Sequence, residues 1–598
     1  MSNSKVSADR NILVSAQKRG GLAIPFAFAR LSGPGWLQSA ITLGGGSLTG
    51  ALFLGVLGGT SMLWLQLIAI IMGVVMLSAI SYVTLSTGKR PFQAINEYVN
   101  PVLGCGWLLA TSAANMIWCM PQFSLSFDAL DKNLVSGGLL PQDADDTQTF
   151  QTKIVVSVLL FIAAFVLVVF NERRGLTARI FDLFLKALVG MIVICFFGVV
   201  IYLVREHGLP WKEILSGFIP NLNQWNEPTG EVAEILGTAP EKLQSFWSTS
   251  IVGNQRDVMI GAAATAVGIN MTFLLPYSML ARGWDKPFRG LARFDLATGM
   301  AIPYVLVTSC VVIASAFSFH GKVDEAFLST DPDVMSTSSI YGGASSVFAS
   351  RFAHELGTEQ WEAMSEEEQT EKMSEKKATI AALGAAAWGE ISEDEQAQMI
   401  ADLPTSEKKL ASTLVKRNAF QLSQSLEPLL GVKWANYIFG AGVLGMGFST
   451  IIILMLINGY VFRELAPENL ERPAHYLGCL VAGVTGLMWP VIWTGDSQFW
   501  LAILTSTFGM MLLPIAYITF FFMMNNEDLL GADKPQGGAM VVWNVLMLLS
   551  VAGAIVAAGS AVWTKMSNPT AGPVIVGIAI FFGIMALIGF AARPKVAS

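Results

Sequence analysis

Residues 32–59 read SGPGWLQSAITLGGGSLTGALFLGVLGG, and the interpretation of the whole chain starts from this stretch. It is apolar and long enough to cross a bilayer, which takes about 20 helical residues. Three consecutive glycines and Ser47 lie at its middle, and glycine is a poor helix former. Unwound backbone inside a membrane is tolerated only where protein or a watery cavity satisfies its polar groups. The stretch therefore indicates either a broken span at a binding site or close helix packing through glycines.

The composition is that of a membrane protein. The 598 residues are 53% hydrophobic and 14% charged, with a mean hydropathy of +0.54, whereas soluble chains carry about 25% charged residues. The formal net charge of −7 gives no indication of nucleic-acid binding. The five cysteines lack metal-ligand spacing, and no nucleotide-binding loop or catalytic triad is present. We therefore predict neither an enzymatic activity nor a cofactor.

Long apolar segments predict an all-α polytopic fold with twelve transmembrane spans. Their approximate limits are 33–58, 62–86, 103–130, 153–171, 182–204, 257–281, 293–319, 433–461, 474–495, 498–523, 538–563 and 571–591. Positive charges concentrate in alternate short loops, which predicts that both termini are cytoplasmic. The expected location is therefore a bacterial-type plasma membrane, with the lipid bilayer as the surrounding partner.

These spans divide the chain into seven segments. They are a cytoplasmic N-terminal segment (1–32), spans 1–5 (33–204), an outer loop (205–256), spans 6–7 (257–319), an acidic insertion (320–432), spans 8–10 (433–523), and spans 11–12 with the C-terminus (524–598). The insertion holds 19 acidic and 9 basic side chains. We expect it to form a soluble helical domain outside the cytoplasm, with its charges on a solvated surface.

The sixth span carries a second interruption. From Gly261 to Trp284 it reads GAAATAVGINMTFLLPYSMLARGW, with Gly268 near the middle and Pro276 two turns later. A proline can be a plain kink. Two interruptions that lie five spans apart are, however, what two inverted five-helix repeats of a secondary transporter would produce. The pairing favours the transporter interpretation.

The opening Gly-Pro-Gly followed by Trp36 resembles the start of the NRAMP (natural resistance-associated macrophage protein) family of divalent-metal transporters. The similarity continues through the glycine-rich break, Leu63–Trp64–Leu65 and Thr87–Gly88–Lys89. The resemblance implies a LeuT-like fold, in which two inverted five-helix repeats have discontinuous first and sixth helices and extra spans follow. It also implies alternating access around a central site, with a divalent metal cation as substrate.

The sequence departs from the family at that site. Where the family has Asp-Pro-Gly-Asn in the first span, an ungapped alignment places Gly44–Ser47. The Met-Pro-His of the sixth span becomes Asn270, Met271 and Thr272, although a shift of one residue would keep Met271 as a thioether ligand. Two acidic residues of the third span, associated with proton movement, become Ser112 and Asn115, and a glutamine of the tenth span becomes Thr507.

The candidate substrate site consists of the residues around both breaks and their counterparts on neighbouring spans. They are Gly44, Gly45, Gly46, Ser47, Val267, Asn270, Met271, Thr272 and Thr507, with Ser112 and Asn115 as third-span polar positions. Hard divalent cations favour carboxylate ligands, and this set has none, so no metal ligand is assigned. Neutral oxygens could hold a largely hydrated cation, whereas N–H groups at half-helix ends favour anions.

Three functions therefore remain open from the sequence. The first is an NRAMP-like secondary transporter of a small ion, by family a divalent metal cation, in which the usual metal-binding and proton-coupling carboxylates are replaced. The second is a transporter of a small anion or a carboxylate-bearing solute. The third is a transport-incompetent membrane sensor or scaffold that uses residues 320–432 to contact a partner. The sequence does not indicate which protein that partner would be.

Overall fold

The computed structural model describes residues 3–135, 138–140, 144–172, 176–207, 210–417, 431–493, 501–566 and 571–591. The residues outside these ranges fall in several predicted segments. The longest stretches are 418–430 of the insertion, 494–500 at the end of span 9 and the start of span 10, and 592–598 at the C-terminus. Within the described ranges the regular secondary structure is helical, without strands.

The helices are as follows. The first part of the chain contains α1 (Asn3–Arg19), α2 (Ala23–Leu31), α3 (Pro34–Thr42), α4 (Gly45–Gly58), α5 (Leu63–Thr87), α6 (Pro91–Tyr98), α7 (Pro101–Asp128), α8 (Asp146–Glu172) and α9 (Leu176–His207). Next come α10 (Trp211–Ser216), α11 (Glu231–Gly237), α12 (Glu241–Ala266), α13 (Ile269–Ala281), α14 (Arg289–Leu296) and α15 (Ile302–Phe319). The insertion contains α16 (Pro332–Ser336), α17 (Tyr341–Glu362), α18 (Glu366–Glu371), α19 (Lys376–Gly389), α20 (Glu393–Ala401) and α21 (Thr405–Leu414). The last part contains α22 (Val432–Leu465), α23 (Glu471–Leu487), α24 (Trp489–Ile492), α25 (Leu501–Asn525), α26 (Glu527–Leu530), α27 (Gly537–Met566) and α28 (Ala571–Ala591).

The all-α membrane fold expected from the sequence is present. Among the described residues, ten stretches are long and apolar enough to cross a membrane. One of them, Gly45–Thr87, includes both α4 and α5 and so covers parts of the first two predicted spans, and Lys186–Gly198 adds a shorter apolar helix. The helix that enters the sixth span begins at Glu241, well before the predicted limit of 257. The preceding residues continue the helix but are too polar to belong to the apolar run from which the span was predicted.

Both predicted interruptions are real breaks in the helices. Between α3 and α4, Gly44 is extended (φ −93°, ψ −178°). Between α12 and α13, Val267 (φ −146°, ψ 107°) and Gly268 (φ −85°, ψ 166°) are extended as well. The first and sixth spans are therefore each made of two half-helices, as the inverted-repeat architecture requires.

The opening Gly-Pro-Gly motif has a clear structural role. The Asp295 carboxylate accepts hydrogen bonds from the backbone N–H of Gly33 at 3.2 Å and of Gly35 at 2.7 Å, at the start of α3. A Cβ on Gly35 would lie 2.1 Å from the Asp295 carbonyl oxygen. An acidic group is favourable at a helix N-terminus because it meets unpaired N–H groups. The motif thus joins α3 closely to α14.

Glycines also allow α4 to pack closely against its neighbours. A Cβ on Gly50 would lie 3.0 Å from the Ala262 Cα of α12, and one on Gly55 would lie 1.9 Å from the Ser315 Oγ of α15. Every α4 residue from Ser47 to Gly58 is buried. The two interpretations of the glycine-rich stretch therefore both hold: Gly44 forms the break, whereas Gly50 and Gly55 allow close helix packing.

The insertion packs around a second hydrophobic cluster that includes Trp247 of α12 and Phe348 of α17. Within it the Arg351 guanidinium lies 2.7 Å from the Glu407 carboxylate, which also accepts a hydrogen bond from Trp247 Nε1 at 3.1 Å. Glu407 is fully buried, and a buried charge is tolerated when it is paired and hydrogen-bonded. This ion pair connects α12, α17 and α21.

Candidate binding site between the helix breaks

A cavity of about 40 Å³ lies where the two breaks meet. Its lining includes five of the predicted residues: Gly44, Gly46, Ser47, Asn270 and Met271. A water molecule needs roughly 10–15 Å³ of such space, so the cavity has room for two or three waters or one small ion. Every described residue that lines it has an uncharged side chain.

At the first break, neighbouring helices satisfy the backbone. The Gly45 N–H donates to the Gln122 Oε1 of α7 at 2.9 Å. The Ala40 carbonyl accepts from the Ser449 and Thr450 hydroxyls of α22 at 2.9 and 3.3 Å. The Ser47 hydroxyl donates to the Thr42 carbonyl and bridges the break. Both sides of this break are therefore held by side chains.

The three glycines of this break let other helices come close. A Cβ on Gly44 would lie 2.4 Å from Thr450 Oγ1, one on Gly45 would lie 2.5 Å from a methyl carbon of Leu125, and one on Gly46 would lie 2.9 Å from a methyl carbon of Thr265. These atoms belong to α22, α7 and α12. Larger residues at these positions would push three helices away from the cavity.

Asn270 dominates the second break. It is 0% exposed, it lines the cavity, and neither its Oδ1 nor its Nδ2 has a hydrogen-bond partner among the described residues. A buried polar group without a partner costs about 1–3 kcal/mol. Its amide therefore offers both an acceptor and donors to whatever occupies the cavity.

Met271 joins the two breaks. Its carbonyl accepts a hydrogen bond from Gln38 Nε2 at 3.3 Å, and its Sδ accepts one from the Thr42 hydroxyl at 3.4 Å. Asn270 and Met271 both line the cavity. Either of the two alignments considered for the sixth span therefore places a cavity-lining residue at the position of the family's metal ligand.

Three other predicted residues next to the breaks lie outside this lining. Gly45 is behind it, with its N–H bonded to Gln122. Val267 instead lines a separate apolar cavity of about 140 Å³. The Thr272 hydroxyl donates to the Ile269 carbonyl and accepts from Trp107 Nε1 at 2.9 Å. These three residues therefore support the structure around the site and do not line the cavity.

The predicted residues of the third and tenth spans also lie away from the cavity. The Thr507 hydroxyl donates to the Ile503 carbonyl of its own helix at 3.0 Å. The Ser112 hydroxyl donates to Asn458 Oδ1 at 2.8 Å. Asn115 is fully buried, and its amide atoms have no hydrogen-bond partner among the described residues.

Sequence reasoning missed several residues that the structure brings to the cavity. They include Trp118, Gln122, Thr265, Thr450 and Ser506. One signal was available on α7: Asn115, Trp118 and Gln122 are separated by three and four residues, so they share a helix face. Continuing the polar face beyond Asn115 would have indicated Gln122.

Trp118 forms a rigid part of the wall. Its Nε1–H donates to the Thr505 carbonyl at 2.7 Å. A Cβ on Gly268 would lie 2.4 Å from its Cη2, and one on Gly509 would lie 1.9 Å from its Cζ2. The indole therefore fits between the second break and α25 only because both neighbours are glycines.

A family model described as natural resistance-associated macrophage protein-like matches residues 35–349 and 405–591. The chain belongs to this Nramp family. The family assignment makes it an integral membrane transport protein and confirms the resemblance inferred from the opening motif. Comparison with curated proteins finds no match.

Solved structures show the same fold. Two crystal structures of the Eremococcus coleocola manganese transporter, one of a histidine-to-alanine mutant and one in complex with an aromatic bis-isothiourea substituted compound, each give a TM-score of 0.56. Their sequence identities to this Nramp-family chain are 11% and 10%, and each alignment covers 96% of this chain and 95% of the other. At this identity the similarity establishes the LeuT-like fold that the sequence predicted.

Proposed function

We propose that this Nramp-family protein moves a small cation, by family a divalent metal ion, across the membrane by alternating access. The observation that carries the proposal is the cavity between two broken helices, which is lined by Gly44 and Asn270. Discontinuous helices that meet at one site are the usual binding architecture of such transporters. The Eremococcus coleocola protein, which shares the fold, is a manganese transporter.

The chemistry of the wall defines how a cation would be held. Neutral oxygens are available from Asn270, Thr450 and Ser506, and Met271 supplies a thioether sulfur. The carbonyls of Ala40 and Thr42 at the end of α3 already accept hydrogen bonds from side chains, so the cation would rely on the side-chain ligands of the wall. Without a carboxylate, a divalent ion would keep part of its hydration shell, and the cavity of about 40 Å³ has space for the ion with one or two of these waters. Because no described residue of the lining has a titratable side chain, we expect that the wall itself exchanges no proton.

One observation supports a second candidate, a carrier of a small anion or a carboxylate-bearing solute. Gly46 and Ser47 line the cavity in the first turn of α4, where N–H groups lack partners within the helix. Such a helix end attracts negative charge. Gln122 satisfies the N–H of Gly45, but the remaining donors of this turn could still bind an anion.

Uptake by the purified protein in liposomes distinguishes the two candidates. We expect saturable uptake of Mn²⁺ that Mg²⁺ inhibits and that chloride, acetate and glycine leave unchanged. Saturable uptake of acetate or glycine without cation uptake would establish the second candidate instead. A folded protein that takes up none of these solutes would contradict both and favour the sensor or scaffold function.

A further inference from the structure

The N-terminal helix pair, α1 and α2, carries an exposed surface that the transport site does not explain. Leu22 is 75% exposed and Phe26 is 74% exposed, although both side chains are apolar. Leu22, which immediately precedes α2 with a helical backbone conformation, Phe26 and Arg30 are four residues apart, so the three side chains form one stripe. We propose that this stripe binds the membrane interface, with anionic phospholipid headgroups as the ligands of the basic residues beside it.

The opposite side of α2 is already occupied. Ala27 is buried, and the ring of Phe28 packs against Phe294 of α14 with 5.4 Å between the ring centroids. The docked side fixes how α2 is turned, so that Leu22 and Phe26 point away from the protein. An ordered helix with one docked side and one exposed apolar side has a surface available for a further partner.

The charges around the stripe suit an anionic surface. Lys18 and Arg19 end α1, and neither they nor Arg30 form an ion pair with another described residue. Arg10, further back on α1, does contact Asp285. Between residues 10 and 96 the sequence contains no Asp or Glu at all. Three basic residues with no acidic residue close to them in the sequence attract the phosphates of anionic lipids.

The position of α2 favours lipid over a soluble protein as the partner of the exposed stripe. The helix ends at Leu31, and α3, the first half of the first span, begins at Pro34. A stripe so close to the start of a span lies at the depth of the headgroups. Apolar side chains flanked by Lys and Arg are the pattern of helices that lie in this interface. Leu22 and Phe26 would enter the acyl boundary, while the basic side chains would reach the phosphates.

Spin labels in the full-length protein test the proposal. Nitroxides are attached to F26C or L22C on a C105S background, because Cys105 is exposed, and the protein is placed in nanodiscs. The control label is at E393C, at the start of α20 in the insertion. Collision with oxygen, which concentrates in lipid, is compared with collision with a water-soluble nickel chelate.

We expect the ratio of oxygen to nickel collisions to be at least about fivefold higher at positions 22 and 26 than at 393. Including phosphatidylglycerol with phosphatidylcholine should increase the ratio at position 26, and K18Q/R19Q/R30Q should remove that increase without lowering the melting temperature. Equal ratios at 26 and 393 would overturn the proposal. So would a phosphatidylglycerol effect that survives the triple substitution, because the basic residues would then not bind the headgroups.

Discussion

At the first helix break, side chains from α7 and α22 hold the backbone: Gln122 accepts from Gly45, and Ser449 and Thr450 donate to Ala40. At the second break, Asn270 is equally buried but its amide has no partner among the described residues. Both breaks have extended backbone and both line one cavity. They differ in how much of their polar surface the protein itself satisfies.

We infer that this difference separates a structural scaffold at the first break from the proposed ligand site at the second. A break whose polar groups are bonded within the protein can keep its shape when the cavity is empty. A buried amide without a partner costs free energy until something binds it. We therefore infer that Asn270 is the main residue that binds the substrate. The first break provides the fixed wall of the cavity opposite Asn270.

The largest effect is expected at Asn270. N270A removes the unpaired amide oxygen and should weaken Mn²⁺ binding about tenfold, which corresponds to about 1.4 kcal/mol. N270D adds an anionic oxygen and should tighten binding by a similar factor, because hard cations prefer carboxylates. Isothermal titration calorimetry on the purified protein measures both.

The matched control is N525A, because Asn525 donates to Asn544 Oδ1 on α27 at 2.9 Å and does not line the cavity. We expect its affinity to equal that of the unchanged protein. If N270A and N525A bind Mn²⁺ alike, the ligand role of the second break is wrong.

An effect of comparable size is expected at Gln122, but on the stability of the protein rather than on the affinity for Mn²⁺. Q122L leaves the Gly45 N–H buried without an acceptor, which should cost about 1–3 kcal/mol and lower the melting temperature. Q122E keeps an oxygen acceptor and should retain most of the stability. An unchanged melting temperature in Q122L would mean that the first break does not depend on this hydrogen bond.

The paired hydroxyls of α22 should show non-additive effects. Ser449 donates to the Ala40 carbonyl at 2.9 Å, whereas the single proton of the Thr450 hydroxyl is shared between the carbonyls of Ala40 at 3.3 Å and Met446 at 2.8 Å. S449A therefore leaves Thr450 as the replacement donor, T450V leaves Ser449, and each should cost about 0.5 kcal/mol. The double substitution leaves that carbonyl unsatisfied and should cost more than the sum of the two, as a double-mutant cycle of melting temperatures would show. Simple additivity would contradict the shared acceptor.

The smallest predicted effect is the difference in Mn²⁺ affinity between substitutions at two adjacent residues of α25. Ser506 lines the cavity, whereas the Thr507 hydroxyl is bonded to Ile503 in its own helix. S506A should weaken Mn²⁺ binding about two- to threefold, the loss of one neutral hydroxyl contact, and T507V should leave it unchanged. If T507V weakened Mn²⁺ binding more than S506A, Thr507 would be the binding residue, as the sequence alignment predicts.

The breaks could be predicted because their cause is local. Gly44 and Gly268 interrupt apolar runs that are otherwise long enough to be continuous helices, and glycine is the residue that permits this. The composition of the spans likewise made the all-α membrane fold predictable.

The complete cavity wall could not be predicted, because it depends on how helices are rotated against one another. Neighbouring helix residues point about 100° apart, since a turn takes 3.6 residues. An alignment without gaps that is one residue out therefore selects Thr507 in place of Ser506. Gln122 and Thr450 reach the cavity from helices whose packing faces a single sequence does not reveal.

The tight fit of Trp118 would limit the size of a solute in the proposed site. Its ring packs against glycines on two sides, and a hydrogen bond fixes the orientation of the ring. A rotation of the Trp118 side chain alone therefore cannot make room for a larger solute. A larger solute would therefore require a smaller side chain in place of the tryptophan itself.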